Sequence, residues 1–203
     1  MSNNTFSGGV VIANPYPVNQ VEIVQAPLPS KVVLPLQQRI GAEAKPCVSV
    51  GDRVLTGQII AKTEDQFCVP IHASISGTVT AIDKQIIPHK SGLKSNCISI
   101  ESDGQDEWIE TQGCGHDFLH CDRQTMIDYV QRSGIVGLGG AGFPSHTKLS
   151  KATDCHTLII NGTECEPGVM CDDALMQHHP REVVRGVEIL LHITGAKKSH
   201  YCH

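Results

Sequence analysis

Residues Gly134 to Pro167 constrain this chain more than any other stretch. Gly137-Leu138-Gly139-Gly140-Ala141-Gly142-Phe143-Pro144 is followed by Lys148, by the apolar run Leu158-Ile159-Ile160, and by Asn161-Gly162-Thr163-Glu164-Cys165-Glu166-Pro167. Four glycines in six positions let the backbone approach a flat or phosphorylated ligand where any Cβ would collide. Lys148 lies six residues beyond the last of them, within reach of a phosphate. Asn161, Glu164 and Glu166 come just past the apolar run, where a buried strand ends and a ligand crevice opens. The combination predicts a nucleotide or flavin cradle.

The spacing Gly137-x-Gly139-x-x-Gly142 also satisfies the dinucleotide fingerprint, which requires a strand before it and a helix after it. What precedes it is Asp122 to Ser133, with Met126, Ile127 and Val130 at helical spacing and Asp122 as N-cap. Only Ile135 and Val136 separate that helix from the loop, too few for a strand of a parallel sheet. The ordinary Rossmann arrangement is therefore not expected. A glycine-rich turn between two helices is the plain alternative for the loop. For Glu164 and Glu166 it is capping of the helix that follows. The polar cluster placed directly after a strand favours a ligand site.

At these residues the chain resembles the C subunit of the Rnf-type ion-translocating electron transport complex of bacteria. The carrying motifs are GLGGAGFP with its following lysine, IINGTECEP and CDDALM. A more distant similarity is to the flavin-bearing, NADH-oxidising subunit of respiratory complex I. Further stretches resemble the amino-terminal part of the same Rnf subunit: Pro27-Leu28-Pro29, Val33-Leu34-Pro35-Leu36, VGDRVLTGQIIA, PIHASISGTV and IIPHKSGLKSNCISIESDG. Together they cover nearly everything from about Gly8 to Ala196.

Composition agrees and excludes some classes. At 203 residues the chain holds one ordinary domain or two small ones. The net charge of −5, without a basic patch, argues against nucleic acid. No apolar run reaches the roughly twenty residues that span a bilayer, and Met1 to Gln20 does not read as a signal peptide. A cytoplasmic protein is expected, reaching a membrane only through partners. Nine cysteines without a single CxxC pair spell out neither a zinc knuckle nor an iron–sulfur run. Most are expected to be buried, reduced small hydrophobes. A metal site from Cys165 and Cys171 with His178 and His179 is a distant possibility. No metal is predicted.

Up to residue 112 the pattern is strand-like. Lys45 to Ala61 alternates valines and isoleucines (Val48, Val50, Val54, Ile59, Ile60) around Gly51-Asp52 and Gly57. Val69 to Ile82 repeats the style, broken by Ser76-Gly77, and Cys97 to Ile100 adds a short strand. Many short strands with turn glycines predict a small barrel or sandwich. The order of motifs resembles the biotinyl/lipoyl carrier fold. A carrier needs a lysine on the exposed hairpin, which falls at about Gln66 or Phe67, yet no lysine stands between Lys62 and Lys84. The fold is expected without the cargo.

After a linker at 113–122 the pattern becomes alternating helix and strand. A short segment at Ser145 to Lys151, a strand at His156 to Ile160 and a segment at Asp172 to Gln177 lead to a helix from Pro180 to Thr194. Pro180 suits its first position and Gly195 its C′ position. Val183, Val187, Leu190 and Leu191 form the buried stripe, with Arg181, Glu182, Arg185 and Glu188 outward. Lys197 to His203 starts where the next parallel strand belongs. The expected class is thus mixed α and β: an extended lead over 1–30, a β barrel-sandwich over 31–112, the linker, and an incomplete α/β nucleotide-binding domain over 123–203. An uncovered sheet of that kind predicts poor solubility for the isolated chain.

The Rnf resemblance implies further properties. FMN and NAD(H) are the expected cofactors, with two [4Fe–4S] clusters in a carboxyl-terminal part that this chain lacks. Gly137, Gly139, Gly140 and Gly142 would line the flavin and dinucleotide. Lys148 would meet the FMN phosphate or ribityl chain, Asn161 and Glu164 the flavin edge and ribityl hydroxyls, and Glu166 would lie toward the nicotinamide nucleotide. In the complex I relatives the second loop position is arginine and the first acidic residue aspartate; here they are Leu138 and Thr163. The tail SHYCH departs from the family's apolar strand, as a frameshift or early stop would produce. The expectation is the amino-terminal part of an electron-transfer subunit, inactive by itself, on the cytoplasmic side of the bacterial inner membrane among the other subunits of the complex. The alternative is a non-catalytic docking or scaffold module. A metal-binding thiol protein comes third.

Overall fold

The computed structural model describes residues 22–38, 41–63, 65, 67–88, 92–110, 117–138, 142–164, 166 and 168–202. Most of the expected lead segment, and 113–116 of the expected linker, lie outside these. Residues 22–29 carry no regular secondary structure.

Among the described residues, seven strands build the first unit: β1 (Lys31–Pro35), β2 (Lys45–Pro46), β3 (Arg53–Val54), β4 (Ile59–Lys62), β5 (Ile71–His72), β6 (Gly77–Ile86) and β7 (Lys94–Ser102). One sheet runs β1-β7-β6-β3 and a second β2-β4-β5, with antiparallel pairing throughout. Between them Val54, Ile60, Ile71, Ile75, Val79, Ile98 and Ile100 form one core. This is the expected barrel-sandwich, held by burial of β-branched side chains from both sheets.

Three local expectations change. Cys97 to Ile100 is the middle of the nine-residue β7, whose flanks stay in register with β6 although their side chains are polar. Val48 and Val50 lie outside any strand, and Val50 is exposed. There a turn wins: Asp52 Oδ2 accepts the Ser49 amide at 2.8 Å and Asp52 N–H donates to the Ser49 carbonyl at 3.1 Å. Ser76-Gly77 does not break the strand pattern as a free turn. Gly77 opens β6, and a Cβ there would lie 1.9 Å from the Glu101 carbonyl oxygen, so the close approach of β7 demands glycine.

The second unit contains a short 3-10 turn (Phe118–His120), α1 (Arg123–Arg132), α2 (Ser145–Lys151), β8 (Thr157–Asn161), α3 (Cys171–His178), α4 (Pro180–Thr194) and β9 (Lys198–Cys202). Asp122 caps α1 by accepting the Thr125 amide at 3.0 Å. Pro180 opens α4 and Gly195 closes it in the left-handed conformation, as the sequence predicts. Val187 and Ile193 are buried on α4, while Arg181, Glu182, Arg185 and Glu188 face solvent. β9 pairs in parallel with β8, from Thr157↔Lys198 to Asn161↔Cys202. Phe118, Met126, Ile127, Leu149 and Ile193 make the second core.

Arg123 ties this core together. Its guanidinium donates to the carbonyls of Leu149 (2.6 Å), Ser150 (3.3 Å) and Ala152 (3.2 Å), and its Nε to that of Ile193 (3.0 Å). One side chain thus satisfies the open carbonyls at the ends of both α2 and α4.

The cysteine expectation is corrected. Of the described cysteines only Cys68 and Cys97 are buried, whereas Cys47, Cys171 and Cys202 are exposed and Cys121 and Cys155 half-buried; all seven are free thiols. Loop ends and a sheet edge, not core positions, carry most of them.

Candidate functional site

The glycine loop joins α1 to α2. Val136 and Pro144 form an antiparallel bridge, the Gly137 amide donates to the Phe143 carbonyl at 2.8 Å, and the Ser145 amide donates to that of Ile135 at 3.1 Å. These contacts pinch the loop at its base. Leu138 is 91% exposed and Ile135 48%, so an apolar rim stands beside the glycines. Gly142 has φ +59°. Gly139 and Gly140, both expected site residues, lie outside the described residues. No strand precedes the loop, which agrees with rejecting the ordinary Rossmann arrangement.

Gly137 shows what the loop has room for. Among the described residues, a Cβ built there would meet only the Phe143 carbonyl oxygen, at an unstrained 3.7 Å. Packing against the described residues does not require glycine at this position, and the missing side chain leaves room over the pinched backbone. Lys148 follows on α2, exposed and without an ion-pair partner among the described residues. Its neighbours His146, Thr147 and Leu149 point inward and are buried.

The polar cluster leaves the end of β8. Asn161 Oδ1 accepts the Thr163 amide at 3.1 Å, which turns the chain. The Gly162 amide extends the ladder to the Cys202 carbonyl at 2.8 Å, and its bare α-carbon admits Met176 of α3. Glu164 reaches the start of α3, where its Oε1 accepts the Asp172 amide at 2.6 Å and its Oε2 the Cys171 thiol at 3.8 Å. The carboxylate thus performs the capping weighed as its plain alternative. Glu166 is exposed and its carbonyl accepts the Val169 amide at 3.2 Å.

Glu164, Cys171 and Asp172 bring three ligand-type atoms within 4.8 Å of one another. Cys171 and Asp172 face solvent and Glu164 is engaged with α3, so the cluster carries no metal assignment. The grouping of Cys171 with His178 does not form, because they stand at opposite ends of α3, about 10 Å apart along the axis. Cys165 lies outside the described residues. Among the described residues no helix is long and apolar enough to cross a membrane.

Sequence reasoning missed Arg123, whose role depends on helices distant in sequence, and His72, whose Nε2 lies 2.9 Å from the Arg132 carbonyl at the end of α1. Gly134, just past the end of α1, lies against the same ring. A Cβ there would lie 3.0 Å from the His72 ring.

Comparison with known proteins fits this geometry. Residues 4–105 match the family model of the RnfC barrel sandwich hybrid domain, and residues 130–202 that of the Nuo51 FMN-binding domain. The pairing defines the class, a barrel sandwich hybrid domain followed by an FMN-binding domain. The chain belongs to the RnfC family, the C subunits of ion-translocating oxidoreductase complexes, and corresponds to the amino-terminal portion of such a protein. It is 41% identical over 194 residues to the member from Vibrio cholerae serotype O1, covering 95% of this chain and 25% of the relative. Identity is 42% over 193 residues with the Pseudomonas aeruginosa member (94% and 25%) and 44% over 176 residues with that of Klebsiella pneumoniae (86% and 23%). The chain therefore spans about a quarter of the length of the curated relatives it matches. A chain of an NAD+-reducing [NiFe]-hydrogenase overlaps 43% of this chain and 16% of its own length at 28% identity, with a TM-score of 0.38, too low to carry an argument.

Proposed function

We propose that the second unit contributes part of an FMN and nicotinamide nucleotide site to a membrane electron transport complex. The observation that carries this reading is the match to an FMN-binding domain over 130–202, a span that contains both the glycine loop and the Asn161–Glu166 cluster. The open surface over Gly137 and the exposed Lys148 fit such a ligand: one admits a planar group against the backbone, the other offers a cation for a phosphate.

In this reading Gly137, Gly139, Gly140 and Gly142 line the flavin and the dinucleotide. Lys148 holds the FMN phosphate or ribityl chain, and the Leu138 rim shields the ring from water. Asn161 presents its amide to the flavin edge. Glu164 orders α3 first and reaches ribityl hydroxyls with the lone pairs left by its cap. Glu166 faces the nicotinamide nucleotide. When bound, FMN converts hydride transfer from a nicotinamide into single-electron steps. Clusters of the [4Fe–4S] type that would take those electrons would be held by sequence outside this chain; its partners in this reading are the other subunits of the complex, with the chain peripheral on the cytoplasmic side of the membrane. The docking-module reading rests on a different observation, a carrier-like barrel with no lysine on its β4–β5 hairpin.

The test is a fluorescence titration of FMN into the purified chain and its Lys148→Ala and Glu164→Gln variants. Lys148→Ala should weaken binding about tenfold, the scale of one charge-assisted contact. Glu164→Gln should shift it less, since the amide oxygen still caps α3. A folded wild-type chain that takes up no FMN would leave the docking module as the better account.

A further inference from the structure

The last turn of α1 exposes four backbone carbonyls that no amide within the helix can reach. Three are satisfied locally: Tyr129 by the Ser133 amide (2.9 Å), Gln131 by that of Gly134 (3.0 Å) and Val130 by that of Ile135 (3.3 Å). The last two bonds form a Schellman cap with Gly134 at φ +72°. The fourth carbonyl, Arg132, is satisfied from the other unit by His72 Nε2 on β5, at 2.9 Å.

The fit around that bond is close. A Cβ on Gly134 would stand 3.0 Å from His72 Cε1, 3.1 Å from its Nδ1 and 3.4 Å from the Pro70 carbonyl oxygen. Gln131 Nε2 reaches toward the Cys68 carbonyl at 3.5 Å. The arm from Cys68 to His72 that leads into β5 is thus seated on the end of α1. The glycine loop starts at that same turn. Ile135, next after Gly134, accepts the Ser145 amide, and Gly137, two further on, donates to Phe143. Whatever fixes Gly134 also fixes both arms of the loop.

We infer that His72 is a positioning residue for the glycine loop: the barrel holds the C-terminal turn of α1 and through it sets the loop for its ligand. The part concerning ligand rests on the reading of that loop as flavin-contacting. His72 acts as a donor to a carbonyl, so glutamine, whose Nε2 sits at a similar distance from its Cα, replaces it and alanine does not.

The experiment compares amide hydrogen exchange and FMN titration for wild type, His72→Ala and His72→Gln. His72→Ala should speed exchange at the Gly137 and Ser145 amides about fivefold and weaken FMN binding by a similar factor, the scale of one neutral hydrogen bond. Amides of the barrel core, such as Ile98 and Ile100, should stay as protected as in wild type, and His72→Gln should restore the loop. Gly134→Ala attacks the same joint from α1 and should repeat the pattern should His72→Ala not fold. Unchanged exchange at Gly137 and Ser145, equal acceleration across the barrel core, or His72→Gln as impaired as alanine would each overturn the inference. A wild-type chain that binds no FMN sinks only the flavin reading, because the exchange data still decide whether His72 fixes the loop.

Discussion

Replacing Gly77 with alanine tests how the barrel is closed. The added Cβ would lie 1.9 Å from the Glu101 carbonyl oxygen, 2.8 Å from its carbon and 3.0 Å from Ser102 Cα, all backbone atoms of β7. Ordinary contact begins at 3.4 Å, so the strands must part by about 1.5 Å. They are pinned at that point: the Ser102 amide donates to Ser30 (2.9 Å), the Ser76 hydroxyl to Asp103 (2.6 Å) and the Glu107 amide to Ser76 Oγ (2.9 Å). Gly77 also has φ +157°, where a side chain is strained. Backbone strain of about 1–3 kcal/mol and overpacking of about 1–3 kcal/mol give a loss near 3–4 kcal/mol. Urea unfolding followed by Trp108, the chain's one tryptophan, reads the barrel, because Trp108 bridges to Thr56. The midpoint should fall by about 1–2 M. Gly162→Ala is the control: its Cβ would meet Met176 Cε at 2.9 Å and Sδ at 3.3 Å, the movable tip of a side chain. Thermal unfolding by circular dichroism should show a loss below about 1 kcal/mol for that variant. Equal losses for the two, or a Gly77→Ala midpoint within about 0.3 M of wild type, would refute the argument that backbone obstruction decides the cost.

Arg123→Met should lower stability by about 3 kcal/mol, since it removes the donor shared by the carbonyls of Ile193, Ser150 and Ala152, while Leu149 keeps the Ala152 amide; equilibrium unfolding monitored at the helical band measures it. Acid sensitivity is set by two carboxylates held below the ordinary 3.8, Asp103 by the Ser76 hydroxyl, the Gln105 amide and Arg53, and Asp122 by the hydroxyl and amide of Thr125. Depressed folded-state values contribute stability above the unfolded value, and that contribution is lost as pH falls through the folded one. The urea midpoint should therefore stay level above about pH 5 and fall below pH 4, with a shallower fall in Asp103→Asn.

Local signals account for what could be read without a structure. Asp122 and Pro180 mark helix starts and Gly195 an end because caps act within one turn of backbone. Val187 of the expected stripe is buried because a helical period sorts apolar from charged positions, whereas Ile193, outside that stripe, is buried by the packing of the second core. The absence of a strand before the glycine loop was legible in the two residues Ile135 and Val136. Glu164 shows where such reading divides. Its carboxylate suited both a ligand and a cap, and only the path of the chain from β8 to α3 brought it to the Asp172 amide.

The sequence by itself determined the element order, the barrel-then-α/β class and the family, since periodicity, caps and long ordered motifs are written in neighbouring residues. Tertiary structure decided what no local pattern encodes: the glycine demanded at 77 by a strand two dozen residues away, the burial of only two of the seven described cysteines, and the Arg123 clasp. It also decided the seating of His72 on Arg132 across sixty residues of chain. A hydrogen bond or a steric contact depends on separation in space, and the packing of two cores, not the spacing of letters, sets that separation.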